Sequence, residues 1–284
     1  MRFASYKTGD RPGLALKTDG GWRGLAEGEA GFPGTLQSLV EAGGDALSRA
    51  GAALAAAPVV DLGAVTLLPP VSHPEKIICI GLNYKDHSAE SGFTQPEYPT
   101  VFGRFNSSLI PHGAPILRPA FSDQLDYEGE LAAVIGKAAR DVPEADALSH
   151  VAGYSIFNDG SIRDYQFKSP QWTPGKNFDD TGAFGPDFVT ADELPPGCEG
   201  LRLQTRLNGQ VVQDASISDM VFPVAKLVAL LSQFMTLKPG DVIVTGTPSG
   251  VGLARKPPLW MKHGDTVEVE IDRLGVLSNP VRDR

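Results

Sequence analysis

A chain of 284 residues, 42% hydrophobic and 21% charged, is long enough for a full core in one large domain, or one large and one small, and is neither disordered nor fibrous. A formal net charge of −9 without any basic run argues against nucleic acid or an anionic membrane surface as a partner, and leaves room for a small anionic substrate held by a few cations inside a cleft. The segment Met1-Arg2-Phe3-Ala4-Ser5-Tyr6-Lys7 has no apolar stretch, and nothing approaches the roughly 18 apolar residues of a span, so neither secretion nor membrane insertion is expected and the cytoplasm is the default.

Residues 1 to about 70 are rich in Gly and Ala. Strand-like pieces at 2–6 and 12–16 precede an Ala-rich helix predicted from about Thr35 to Ala57, whose Leu36, Leu39, Val40, Ala46 and Leu47 keep helical spacing. Leu68-Pro69-Pro70-Val71 is stiff punctuation. It predicts a boundary between a small N-terminal domain, 1–70, and a main domain, 71–284. Further strands are expected at 76–81, 100–105, 129–136, 151–158, 201–208, 241–246 and 266–271. Helices are expected near Pro143 to Ser149 and from Val224 to Phe234, the second with Leu227, Leu230, Leu231 and Phe234 on one face. Strands dominate and do not alternate with helices, which predicts an α+β fold. Cys79, inside Lys76-Ile77-Ile78-Cys79-Ile80, reads as a small buried hydrophobe, and with Cys198 it makes no disulfide framework.

Glu128-Gly129-Glu130 opens the apolar run Leu131-Ala132-Ala133-Val134-Ile135. In a strand, side chains at i and i+2 share a face about 7 Å apart, so both carboxylates aim at one region. Two buried glutamates repel unless one takes a proton or a cation neutralises them. Asp159, in Asn158-Asp159-Gly160-Ser161 at the end of another strand, supplies a third acid. Three carboxylates without His or Cys form a hard oxygen site that suits Mg2+, Mn2+ or Ca2+ rather than Zn2+, with coordination positions left for substrate.

The order of motifs resembles the fumarylacetoacetate hydrolase family. The matching stretches are Ile80-Gly81-Leu82-Asn83-Tyr84-Lys85-Asp86-His87-Ser88-Ala89-Glu90, Asp126-Tyr127-Glu128-Gly129-Glu130-Leu131 and Asn158-Asp159-Gly160-Ser161-Ile162-Arg163-Asp164-Tyr165-Gln166. Gln171-Trp172-Thr173-Pro174-Gly175-Lys176 and Pro239-Gly240-Asp241-Val242-Ile243-Val244-Thr245-Gly246-Thr247-Pro248-Ser249-Gly250-Val251-Gly252 complete the set. The resemblance covers residues 75 to 284. It implies a mixed β-sheet roll or barrel of that family's C-terminal type, a homodimer, and Mg2+ or Mn2+ (Ca2+ where crystals supply it) on Glu128, Glu130 and Asp159. It also implies a catalytic pair on a short helix, His87 with Glu90 one turn later, where the acid orients the imidazole. His73, His112, His150 and His263 read as ordinary structural or surface histidines.

Within the resemblance, Lys176 takes the place of an active-site lysine and Thr247 a position that binds a substrate carboxylate. Arg163 and Gln166 fall where relatives support the metal or its water. With Tyr84 and Arg104 they are expected to face substrate. Arg104 replaces a common Lys, changing a point charge into a fork, and Gly160 replaces a common Val. The implied reaction is hydrolysis of a carbon–carbon bond in a small 2,4-dioxo acid (an acylpyruvate, fumarylpyruvate or dioxo deoxy-sugar acid), releasing pyruvate and a carboxylic acid. In it His87 takes a proton from water and Lys176 stabilises the enolate. The same enolate chemistry serves a 2-oxo diacid decarboxylase or a hydroxy-dienoate isomerase, and a non-catalytic cation-binding domain is the alternative outside enzymes.

Overall fold

A computed structural model describes residues 1–90, 94 and 96–284, with backbone alone at 88 and 89. The chain opens with an antiparallel meander, β1 (Arg2–Thr8), β2 (Arg11–Thr18) and β3 (Gly21–Ala26). The Ala-rich segment forms two helices, α1 (Leu36–Ala42) and α2 (Ala46–Ala55), instead of the single helix expected from 35 to 57. The break falls at Gly43 and Gly44, whose φ of 65° and 57° are left-handed, a conformation that ends a helix and that glycine takes without penalty.

Next come β4 (Ile77–Gly81), α3 (Lys85–Glu90), β5 (Thr100–Arg104), β6 (Ile116–Arg118), β7 (Gly129–Ile135) and β8 (Val151–Asp159). Two single-turn helices, α4 (Arg163–Gln166) and α5 (Thr173–Lys176), precede β9 (Gly182–Thr190), β10 (Arg202–Leu207) and β11 (Gln210–Ser216). The chain ends through α6 (Val224–Phe234), β12 (Val242–Val244), β13 (Thr266–Ile271) and β14 (Gly275–Asp283). α6 has the predicted bounds, but its buried face is rotated from the expected one: Phe234 is exposed and Leu230 only half-buried. Its buried Val224, Leu227, Val228 and Leu231 fall at i, i+3, i+4 and i+7, and each such burial contributes about 1.5–3 kcal/mol.

The larger sheet runs β3-β2-β1-β9-β8-β7-β12-β4-β5, and two short flanking strands, Thr66–Leu67 and Leu109–Ile110, bring it to eleven. β1 pairs antiparallel with β9, Phe3 opposite Phe188, so the N-terminal meander extends the sheet that carries the acid motifs. A second sheet of five strands runs β11-β10-β13-β14-β6. Neighbours are antiparallel except β12 with β4, β14 with β6, and β9 with the short flanking strand Leu109–Ile110. The fold is α+β, as expected, and its two sheets are open layers rather than a closed barrel. No helix among the described residues is long and apolar enough to cross a membrane.

β7 lies in the middle of the larger sheet and is buried along its whole length. Strand alternation divides it. Leu131, Ala133 and Ile135 join a core shared with the second sheet and α6, whereas Ala132 and Val134 pack with Phe3, Leu14, Leu54 and Phe157 on the N-terminal side. At the start of the same strand Gly129 faces the second sheet so closely that a Cβ there would lie 2.2 Å from the Thr205 hydroxyl. Glu128 and Glu130 therefore point to the opposite face, with the parity of Ala132.

Candidate metal centre

Glu128 and Glu130 meet Asp159 because β7 and β8 are antiparallel neighbours with Gly129 opposite Asn158. Two hydrogen bonds lock this corner: the Asp159 N–H donates to the Glu128 carbonyl at 2.9 Å, and the Glu128 N–H donates to the Asn158 side chain at 3.0 Å. One oxygen from each of the three buried carboxylates lies within 4.8 Å of the others.

Three cations surround them. Lys176, presented by α5, places Nζ 2.6 Å from Glu128 Oε2 and 2.7 Å from Asp159 Oδ2. Arg163, at the start of α4, donates Nε to Asp126 Oδ2 at 2.8 Å and sets Nη2 2.7 Å from Glu128 Oε1. Arg104 donates to Asp159 Oδ1 and, at 3.1 Å, to the Gly160 carbonyl. Asp126 is buried too, and it also accepts the N–H groups of Tyr127, Gly252 and Leu253.

The charges decide what else the centre can take. Four carboxylates, Asp126, Glu128, Glu130 and Asp159, face three cations. Burial pushes the Glu128 carboxyl up, but Lys176, Arg163 and His87 outweigh it and hold it at about 2. Burial works against the Lys176 ammonium, and Asp159 and Glu128 overcome it, so the group stays protonated above the ordinary lysine range. Glu130 is the unmatched acid. Burial first, then Asp159 and Glu128, push its carboxyl well above the usual carboxylate range. The charge of Lys176, from beyond ion-pair distance, and the Gly246 N–H at 2.5 Å act the other way, and no cation among the described residues lies in ion-pair contact with it. A hard divalent cation fits this donor set: it bonds oxygens that keep spare lone pairs and supplies the charge Glu130 lacks.

A pH-dependent prediction arises here. Glu130 keeps its proton to a higher pH than an ordinary carboxyl, and a ligand oxygen must be deprotonated. Below the Glu130 pKa, Mn2+ binding to the metal-free protein will therefore release a proton, and affinity will rise with pH through that range. Calorimetry in buffers of different ionisation enthalpy reads this directly; affinity that falls with rising pH would contradict it.

α3 brings His87 and Glu90 over the centre. His87 Nδ1 lies 3.2 Å from Glu90 Oε1 at i, i+3, and the His87 side chain is only 9% exposed. Tyr84, just before the helix, is buried; burial, then the negative charges of Glu130 and Asp219, push its phenol far up. Gln166 meets the metal corner indirectly, accepting from Arg163 Nη1 at 2.8 Å.

Two residues expected on the substrate are committed elsewhere. The buried Arg104 uses its fork on Asp159, Gly160, Ser108 (3.2 Å) and Thr181 (2.8 Å). It is a brace behind a metal-facing acid: four of the five guanidinium N–H donors go to these groups, and the side chain is fully buried. Thr247 donates its hydroxyl proton to the Gly129 carbonyl at 2.9 Å and accepts from Gln213 at 2.8 Å, so the proton a substrate carboxylate needs is spent beneath β7. Asp126, Asn158 and Gln213 were not foreseen as site residues. Asp126 sat inside a matching motif, but its role appears only through Arg163, a partner 37 positions away.

Comparison with known proteins agrees with this geometry. Residues 76–282 match the description "Fumarylacetoacetate (FAA) hydrolase C-terminal". An oxaloacetate tautomerase, mitochondrial, from Xenopus laevis is 41% identical over 288 residues, 99% of this chain and 90% of the relative. The structure of a fumarylacetoacetate hydrolase from Exiguobacterium antarcticum superposes with a TM-score of 0.86 at 35% identity, covering 100% of both chains. A 5-carboxymethyl-2-hydroxymuconate delta-isomerase from Mycobacterium smegmatis superposes with a TM-score of 0.78 at 33% identity, again over 100% of each. Family members hold a divalent metal, and the chain, with its acid corner built from the motifs of that family, belongs to the fumarylacetoacetate hydrolase family.

Proposed function

We propose that this protein interconverts the oxo and enol forms of a small 2-oxo dicarboxylic acid of the oxaloacetate type, with Mg2+ or Mn2+ on Glu128, Glu130 and Asp159. The observation that carries the reading is a His87–Glu90 pair, its histidine buried, beside an acid corner in which the ammonium of Lys176 stays charged. An ionised Glu90 can only accept, so Nδ1 of His87 donates to it and Nε2 keeps a lone pair for the substrate. Nε2 takes a proton from C3, the electron pair moves into the C2–C3 bond, and charge gathers on the 2-oxo oxygen. Lys176 and Arg163 offset that charge, and return of the proton to the oxygen completes the enol. A bound divalent cation supplies Lewis acidity that makes the C3 proton easier to remove. The oxaloacetate tautomerase and delta-isomerase among the relatives carry out shifts of this kind, judged by their names.

Hydrolysis of a 2,4-dioxo acid is the second reading, favoured by the same pair, because a glutamate-backed imidazole lone pair also activates water. The test follows enol absorbance of oxaloacetate with Mn2+, beside pyruvate release from acylpyruvates. The wild type is expected to accelerate enol loss about 100-fold or more over His87→Ala, the range one general base provides, without forming pyruvate. Equal yields of pyruvate and carboxylic acid from an acylpyruvate, with no tautomerase activity, would establish hydrolysis instead.

A further inference from the structure

Helix α3 is six residues long, too short to hold its own shape, yet it carries the pair whose aim matters most. Its root is fixed by Asn83, whose side-chain nitrogen donates to the carbonyls of Thr245 (2.7 Å) and Phe222 (3.1 Å) and whose oxygen accepts the Phe222 N–H at 2.8 Å. Its other end is fixed by Glu90. The Gly250 N–H lies 2.9 and 3.0 Å from the two Glu90 oxygens, and one of these, Oε1, is also the partner of His87. The bond from Gly250 thus sets the orientation of the carboxylate that aims the imidazole.

Gly250 is held in turn. Its φ is +104°, and a Cβ there would lie 2.0 Å from the Val212 carbonyl oxygen, so no other residue fits. Its carbonyl accepts from the Tyr127 hydroxyl at 3.0 Å and from Arg255 Nε at 3.3 Å. Arg255 closes the group by donating to the Tyr127 hydroxyl at 3.2 Å and to the Val212 carbonyl at 2.7 Å. Tyr127 stands in sequence between Asp126 and Glu128, so the seat of the helix is built on the strand mouth that presents the acids.

We propose that Gly250, Tyr127 and Arg255 form a seat that positions His87 through Glu90, which makes all three positioning residues. The activity part rests on the reading of His87 as the proton carrier; the seat itself does not. The test uses Tyr127→Phe and Arg255→Met in the full chain, each alone and with Glu90→Ala. Three quantities are read: amide exchange at 85–90, turnover with Mn2+, and Mn2+ affinity.

Each seat variant is expected to speed exchange at 85–90 by about tenfold and to lower kcat by a similar factor, the effect of one net hydrogen bond, with Mn2+ affinity unchanged. In the Glu90→Ala background the same substitutions are expected to add nothing, since their effect passes through Glu90. Unchanged exchange at 85–90, or equal losses in both backgrounds, overturns the proposal. Tyr127→Phe removes one oxygen and serves if Arg255→Met does not fold. If exchange at 85–90 responds as expected while His87→Ala keeps full turnover, the seat stands and the catalytic reading of His87 falls.

Discussion

Glu130→Gln is expected to abolish divalent-cation binding and, against the usual direction for a buried substitution, to stabilise the metal-free protein. Of the three acids at the centre, Glu130 alone lacks an ion-pair partner among the described residues, while Glu128 and Asp159 each share Lys176 and hold an arginine. Its carboxyl is raised by burial, Asp159 and Glu128. A group whose folded pKa is raised contributes stability at low pH and loses it as pH rises through that folded value, so the wild type weakens above the ordinary carboxylate range. Glutamine keeps an oxygen for the Gly246 N–H and carries no charge, so the variant should gain about 1–3 kcal/mol over the wild type at mildly alkaline pH. It also removes a negative ligand, which should cost at least about 100-fold in Mn2+ affinity and about 3 kcal/mol or more of barrier lowering. Thermal melts with and without Mn2+ across pH read both effects. A Mn2+-induced rise in Tm as large as that of the wild type would remove Glu130 from the metal site.

The parts of this centre that were legible in the sequence are those set by short-range periodicity. The i, i+2 parity of a strand put Glu128 and Glu130 on one face, and the i, i+3 spacing of a helix put Glu90 beside His87. What stayed hidden depends on partners far along the chain. The resemblance places Arg104 on the substrate, at a position where relatives carry Lys, but the partners it bonds, Asp159 and Thr181, lie 55 and 77 positions away. Five of the numbered strands, β3, β6, β9, β11 and β14, lie outside the predicted ones, three of them for evident local reasons. β9 opens on Gly182 and carries Gly185 and Pro186 inside it, β11 is a mostly polar edge strand, and β14 contains Pro280. Pairing with well-formed neighbours, not propensity, makes these segments extended.

Lys176→Met separates two properties that usually fall together. The ammonium bonds one oxygen of Glu128 and one of Asp159, so its loss leaves two buried carboxylates short of a cation, a defect that costs about 3–5 kcal/mol. The acid limb should change as well. Burial raises Glu128, and Lys176 is the first of the charges that bring it down to about 2. That depressed pKa gives stability above the ordinary carboxylate range which is lost as pH falls toward 2. Without Lys176 the loss begins at higher pH, and the variant becomes acid-labile. A divalent cation can replace the missing charge, so saturating Mn2+ should restore about 3 kcal/mol at a hundredfold excess over Kd. Affinity for Mn2+ should rise, because a like charge has left the oxygens it binds. Turnover should nonetheless fall about 100- to 1000-fold, since the fixed positive charge that meets the developing enolate is gone. Calorimetry and steady-state rates on the same preparation test the two halves together. Weaker Mn2+ binding in Lys176→Met would mean that the lysine organises the carboxylates for the metal rather than sharing them with it.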